Sequence, residues 1–413
     1  MRALSSGGLT HADELKVVSL VGAGHFFSHF YILLLPPLFP LLRDAYGVSY
    51  TALGLAIAVL NVTTGATQAP VGFLVDRFGA RRILIAGLAL FSLAISLLGV
   101  FPTYPALLAL MAVAGLGNSV FHPADYAILS SAVEQRRMGR AFSIHTFGGF
   151  AGFALAPPVA VGLTELYGWQ VAMMLSGLGG LVVALLMLLS RRFLRSDADA
   201  RRPGAPRAAL GNRDGLRLLL TAPILMALLF FVMLALGMGG YTSFSVAALE
   251  GIYALPLAAA NVPLTAYLVA SAIGVLAGGW VADRTTKHHQ VVGACFVAIV
   301  VLAGAIPALQ PSILVVAVLF ALAGFCSGVV APSRDMMVRA VTPPGQSGKV
   351  FGFVTTGFNI GGVLAPLLFG LVLDLGDPGH VFWMIAGLSA LTLIVVFATP
   401  RTAASSSTAT VQR

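Results

Sequence analysis

The stretch from Gly115 to Pro157 returns, position for position, 209 residues later between Gly324 and Pro366. Gly115, Val120, Pro123, Phe142, Gly148, Gly152 and Pro157 reappear as Gly324, Val329, Pro332, Phe351, Gly357, Gly361 and Pro366. A shorter echo pairs GFLVDR at Gly72–Arg77 with GWVADR at Gly279–Arg284, at an offset of 207. Matching segments at one nearly constant spacing require two copies of one folding unit in the same order, with a two-residue length change between the echoes.

What that unit is made of follows from polarity. The chain is 58% hydrophobic and 9% charged, where soluble domains carry about 25% charged residues. Apolar runs, each long enough to cross a ~30 Å hydrocarbon core, lie near 17–42, 51–74, 83–101, 105–131, 139–163, 169–190, 218–241, 258–281, 290–308, 312–340, 348–373 and 380–399. The reading is an all-α membrane protein with twelve transmembrane helices in two pseudo-symmetric six-helix bundles. Repeated bundles of membrane helices are a common construction of secondary transporters.

The +9 charge does not form a soluble basic face, so no nucleic-acid partner is expected. Instead, Arg77, Arg81 and Arg82 follow the second span, Arg136, Arg137 and Arg140 join the fourth and fifth, and eight arginines lie in 191–217. Arg284 and Lys287 follow the eighth, and Arg334, Arg339 and Lys349 surround the junction of the tenth and eleventh. The alternate connections contain only Arg43. That bias places both termini in the cytoplasm and the protein in the cell inner membrane. The organisation expected is a cytoplasmic N-terminus (1–16), a bundle (17–190), a linker (191–217), a second bundle (218–399) and a cytoplasmic tail (400–413). Cys295 and Cys326 fall within spans and read as small buried hydrophobes.

The loop after the second span reads GFLVDRFGARR, with Gly72, Asp76, Arg77, Gly79, Arg81 and Arg82. This resembles the signature loop between helices two and three of the major facilitator superfamily, and the degenerate copy carries Asp283 and Arg284 one half-chain later. The resemblance covers residues 15–400 and implies the major facilitator fold and transport by alternating access. GHFFSHFY (Gly24–Tyr31) and GNSVFHPADY (Gly117–Tyr126) further resemble the fosmidomycin-resistance branch of presumed drug exporters, except that Ala124 separates the His-Pro pair from Asp125. Physically, a boundary aspartate is stabilised by a helix N-terminus. Asp76 is therefore expected near Ser347 and Gly348, and Asp283 near Gly139, as cytoplasmic latches.

Polar groups inside the spans are the functional candidates. His25 and His29 share one face of the first span, His122 and Asp125 one face of the fourth, and His145 lies two turns into the fifth. At 1.5 Å per residue, His25, His122 and His145 reach depths of roughly 9 to 15 Å and can meet at one level. Histidine titrates near physiological pH, so with Asp125 the set reads as a proton acceptor or a polar wall for substrate, or else as interhelical glue. Ligand types alone also suit a metal, but no local motif fixes a geometry, and no metal or cofactor is expected. Asn118 and Asn359 are further candidates; Asn359 stands where the first repeat has Phe150.

The repeat sets Arg334 at the position of Asp125. The two charges are candidates for pairing across the cytoplasmic mouth when the transporter opens outward and for separating when it opens inward, with the adjacent Asp335 as the competing partner of Arg334. In span five, Gly139, Gly148 and Gly152 have the spacing of the superfamily's antiporter signature, but Phe153 stands where that pattern has proline. No HExxH, GxSxG or phosphate loop is present, so an enzyme is not expected. The function expected is proton-coupled efflux of a small organic molecule by a monomer, energised by the proton gradient; the alternative is uptake of an organic anion or other metabolite.

Overall fold

The computed structural model describes residues 11–134, 137–194, 217–343 and 347–398, without the side chains of 69, 76, 139 and 347–349. Twelve helical segments are long and apolar enough to cross a membrane. Ten of them end within four residues of the bounds read from sequence. The linker after residue 194 and the tail from 399 lie outside the described residues.

Spans one and seven depart furthest from expectation, for identifiable reasons. Span one begins at His11 rather than near 17 and reaches Tyr46. Its early start carries Glu14, whose carboxylate is buried yet accepts two bonds from Arg137, at 2.8 and 2.9 Å. Lys16 lays its ammonium over Phe193 at 4.8 Å, the behaviour of a long cation near a membrane boundary. Helix His11–Ile32 then gives way to a short turn at Pro36–Leu38, where two prolines supply no backbone N–H, and resumes at Phe39–Tyr46. Span seven, Ala222–Tyr253, does not stop near 241 but passes through a π turn at Gly240–Phe244. Thr242 and Ser245 donate their hydroxyls to the carbonyls of Met238 and Tyr241, so a segment polar in sequence stays helical.

Span four, Tyr104–Ala132, divides into helices Tyr104–Asn118 and Phe121–Ala132. Pro123 explains the break, because it lacks the N–H that the carbonyl of Ser119 would need. Its counterpart Pro332 lies in an unbroken helix, Ile313–Ala340, so the repeats differ here.

In the first half, span one packs on span five (Met138–Tyr167), and span three (Ala80–Val100) packs on spans four and six (Trp169–Leu189). In the second half, span seven packs on span eleven (Ser347–Asp374), and span eight (Leu257–Ala282) on span ten (Ile313–Ala340). Span nine (His288–Leu309) contacts span ten and span twelve (His380–Ala398). The halves meet along two seams, span two (Tyr50–Phe78) with span eleven and span five with span eight.

The first seam shows how the bundles are set. Asp374, ending span eleven, accepts hydrogen bonds from the Tyr50 and Thr51 amides, both at 2.8 Å, and from the Thr51 hydroxyl. A carboxylate there satisfies the open N–H groups of span two and meets the positive end of its dipole. One turn inward, a Cβ on Gly54 would collide with the Pro366 carbonyl. Deeper still, the Asn61 amide donates to the Gly362 carbonyl at 2.9 Å. These contacts lie in the half of the seam away from the arginine-rich loops. At the basic end, Asp283 ends span eight as its C-cap and stands exposed, its carboxylate bonded to no helix N-terminus among the described residues, while Asp76, Gly139, Ser347 and Gly348 lie outside the described side chains. The bundles are thus held together at the face opposite the basic loops.

Candidate functional site

The broken fourth span aims Asp125 into its own bundle. The carboxylate is wholly buried (0% exposed) between span one and span five. Its Oδ2 lies 2.9 Å from His145 Nε2, at hydrogen-bond length, and 3.4 Å from His25 Nδ1. The two imidazoles stack with centroids 3.8 Å apart and planes at 23°. His29 lies 4.4 Å from His25 and His122 lies 5.6 Å from it, so all four histidines and the aspartate form one cluster. His25 and His145 are buried, whereas His122 is exposed. His122 therefore connects the cluster to the surface, with Tyr126, 47% exposed, stacked beside it at 6.0 Å.

Hydrogen-bond accounting within the cluster is incomplete. Asp125 Oδ1, His25 Nδ1 and His29 Nδ1 are buried and have no partner. Buried polar groups are ordinarily paired, and an unpaired one costs about 1–3 kcal/mol. One proton added at His25 Nδ1 would turn the 3.4 Å separation from Asp125 into a charge-assisted hydrogen bond. His25, Asp125 and His145 also place one potential ligand atom each within 4.8 Å of one another, a donor set of the type that holds zinc.

Three residues that sequence reading left aside shape this cluster. Gly149 is one: a Cβ there would come to 2.9 Å from His25 Nε2 and 3.0 Å from His29 Cε1, so only glycine admits both rings. Phe153, which stands where the antiporter pattern has proline, packs its ring on His29 at 4.3 Å. Tyr126 bridges His122 to Phe142. Gly149 carried a faint signal, as it lies one turn after His145.

The remaining candidates fall elsewhere. Asn118 donates to the Thr64 hydroxyl at 3.3 Å, and that hydroxyl donates to the Gly115 carbonyl at 3.1 Å, tying span four to span two. Asn359 packs on Gly65 across the seam of spans two and eleven. Arg334 does not meet Asp125. It pairs with Asp335 at 2.9 Å and lies over the rings of Phe231 and Phe358, at 4.7 and 5.2 Å. The physical reason is placement: Asp125 is enclosed by histidines of its own bundle. In the loop motif, Arg77 lies over Phe78 at 5.2 Å, Arg81 donates to the Arg191 carbonyl at 3.1 Å, and Arg82 is exposed. Gly79 ends span two with a positive φ of 89°, Gly72 lies within that helix, and Arg284 stacks on Trp280 at 3.9 Å. A recess of about 440 Å³, lined by Arg43, Tyr50 and Glu250 among others, lies at the closed face and touches no residue of the histidine cluster.

A family model described as the Major Facilitator Superfamily matches residues 21–305 and 229–412. The chain belongs to this superfamily. It is therefore a multi-pass membrane transporter and not an enzyme. Among superfamily members, the fosmidomycin resistance protein of Escherichia coli (strain K12) is 26% identical over 392 residues, 92% of each chain. The multi-drug resistance efflux pump PmrA of Streptococcus pneumoniae is 24% identical, covering 86% of this chain and 88% of its own. In fold, the chain is similar to a bacterial homolog of the human lysosomal transporter Spinster in an inward-facing, occupied conformation. That match has TM-score 0.79 at 13% identity, covering 96% of this chain and 98% of that one. A structure of the nucleoside transporter NupG gives 0.76 at 14%, covering 94% and 99%. These two likenesses concern the superfamily fold alone.

Proposed function

We propose that the chain exports a small organic molecule in exchange for protons, by alternating access, with the Asp125–histidine cluster as the proton site. The observation that carries this reading is the unfinished hydrogen bonding around Asp125. A carboxylate with no exposure, one orphan oxygen and an unpaired imidazole nitrogen 3.4 Å from the other oxygen is a place that one proton completes. His122 is the entry, since it alone of the cluster's four rings is exposed. The reading uses no metal and no cofactor. Export as the direction is supported by relatives named for resistance and efflux. Uptake of an organic anion or other metabolite is the second reading; a probable 4-methylmuconolactone transporter of Cupriavidus pinatubonensis, 29% identical over 42% of this chain, is a relative named for a metabolite rather than for efflux. The arginine-rich loops support a cytoplasmic-membrane protein with both termini inside the cell and the cavity open to the cytoplasm. One copy contains the whole cluster, so the proposed working unit is the monomer.

The test is flux in sealed proteoliposomes, beginning with fosmidomycin and extending to other small molecules, under an imposed pH gradient. Uptake driven by an acidic interior is the expected result; exchange indifferent to the gradient would remove the proton from the account. His122→Ala should slow gradient-driven flux about a hundredfold, the lower end of what one positioned proton-transfer group contributes, while leaving exchange without a gradient in place.

Gly149→Ala is a second check that removes no titratable group. The added methyl would press on the ends of His25 and His29, and proton-driven flux should fall about tenfold at a stability cost of only about 1–3 kcal/mol. Unchanged coupling in a variant of normal thermal stability would separate cluster geometry from transport.

A further inference from the structure

The second bundle holds a charged position that the proton reading does not use. Arg334 occupies the repeat position of Asp125, 209 residues on, and its setting has been inverted. By the same offset His145 becomes Val354, and Gly149, where the imidazoles need room, becomes Phe358. The Phe358 ring lies 5.2 Å from the guanidinium and the Phe231 ring 4.7 Å from it. Where the first bundle wraps a carboxylate in imidazoles, the second holds a guanidinium against two phenyl rings.

A cation at this depth is costly unless it is paired or functional. Its pairing is loose. Arg334 Nε and Nη2 both reach the same oxygen of Asp335, Oδ1, at 2.9 Å, so the fork of the guanidinium is not matched by two oxygens. The Arg334 side chain is 14% exposed, but that of Asp335 is 51% exposed, so the partner is the solvated half of the pair. Neighbours in sequence also point about 100° apart on a helix, and bending one back is easily undone.

We infer that Arg334 is the substrate's anion-binding group: the transported molecule carries an oxyanion and an apolar or aromatic body, and Asp335 holds the guanidinium until that oxyanion displaces it. A carboxylate, sulfonate or phosphonate offers two or more oxygens to the fork, which Asp335 in its present pose does not. Phe358, half-buried beside the guanidinium, supplies a ring face for the rest of the molecule. The inference deepens the transport reading and relies on it only for the cavity being the substrate path.

The experiment is calorimetric titration of the purified full-length protein at neutral pH with three probes of one shape: benzylphosphonate, benzyl alcohol and benzylammonium. Wild type should bind benzylphosphonate and neither of the others. Asp335→Asn, which removes the competing charge, should tighten benzylphosphonate about tenfold. Arg334→Gln should weaken it at least tenfold, and Arg334→Lys, which keeps charge without the fork, should fall between. Equal binding of benzyl alcohol, no effect of Arg334→Gln in folded protein, or absence of benzylphosphonate binding in Asp335→Asn each overturns the inference. Asp335→Asn and Arg334→Lys keep the test decisive if Arg334→Gln fails to fold. No gradient is involved, so loss of proton coupling with anion binding intact would sink the export reading alone.

Discussion

Asp125→Asn should abolish proton-driven flux, lowering it at least a hundredfold, while the protein still folds and inserts. Asparagine has nearly the volume and shape of aspartate, so the buried niche between spans one and five is kept. What changes is chemistry: an amide takes up no proton near neutral pH and replaces one acceptor with a donor. His145 Nε2, now 2.9 Å from a carboxylate oxygen, would then face a neutral group, and a hundredfold loss corresponds to about 2.7 kcal/mol. The measurement is acidification-driven uptake into vesicles, with a pH dye inside and wild type alongside. Undiminished coupled flux would show that the proton travels elsewhere and that the cluster only joins helices.

Asp374→Ala should shift the molecule away from the conformation described here. It removes the acceptor of three hydrogen bonds between span eleven and the start of span two. The carboxylate is exposed, so a net effect of about 1–2 kcal/mol is appropriate, which moves a two-state equilibrium roughly five- to thirtyfold. Gly54→Leu should act in the same direction more strongly, because even a Cβ there meets the Pro366 carbonyl. Spin labels at Phe101→Cys and Leu309→Cys, both exposed on that face in opposite halves, would report the separation. A longer-distance population should grow in both variants, and an unchanged distance distribution would mean that the seam does not set the equilibrium.

Much of this architecture was legible because lipid leaves few choices. A run of twenty apolar residues has one reading, and the spacing between echoes announces the duplication directly. The level at which His25, His122 and His145 meet also followed from helical rise. Orientation did not. Pairing of Asp125 with Arg334 belongs to the outward-open state; in the conformation described here Arg334 meets Asp335 and the aspartate turns toward His145. Nothing in a linear pattern distinguishes Pro123, which breaks its helix, from Pro332, which does not. Gly149 and Asp374 escaped for another reason: each matters through a partner from a distant part of the chain. Span seven was cut short because Thr242 and Ser245 look like loop residues until their hydroxyls are seen to bond within the helix.

The charge inversion between the repeats has an electrical consequence. If an anion leaves the cell from Arg334 while a proton enters through Asp125, both movements carry charge in the same sense across the membrane. Each elementary charge is worth about 2.3 kcal/mol per 100 mV. A cell with a negative interior would then drive the cycle by voltage as well as by acidity. An inside-negative vesicle, with no pH difference at all, should extrude such a substrate.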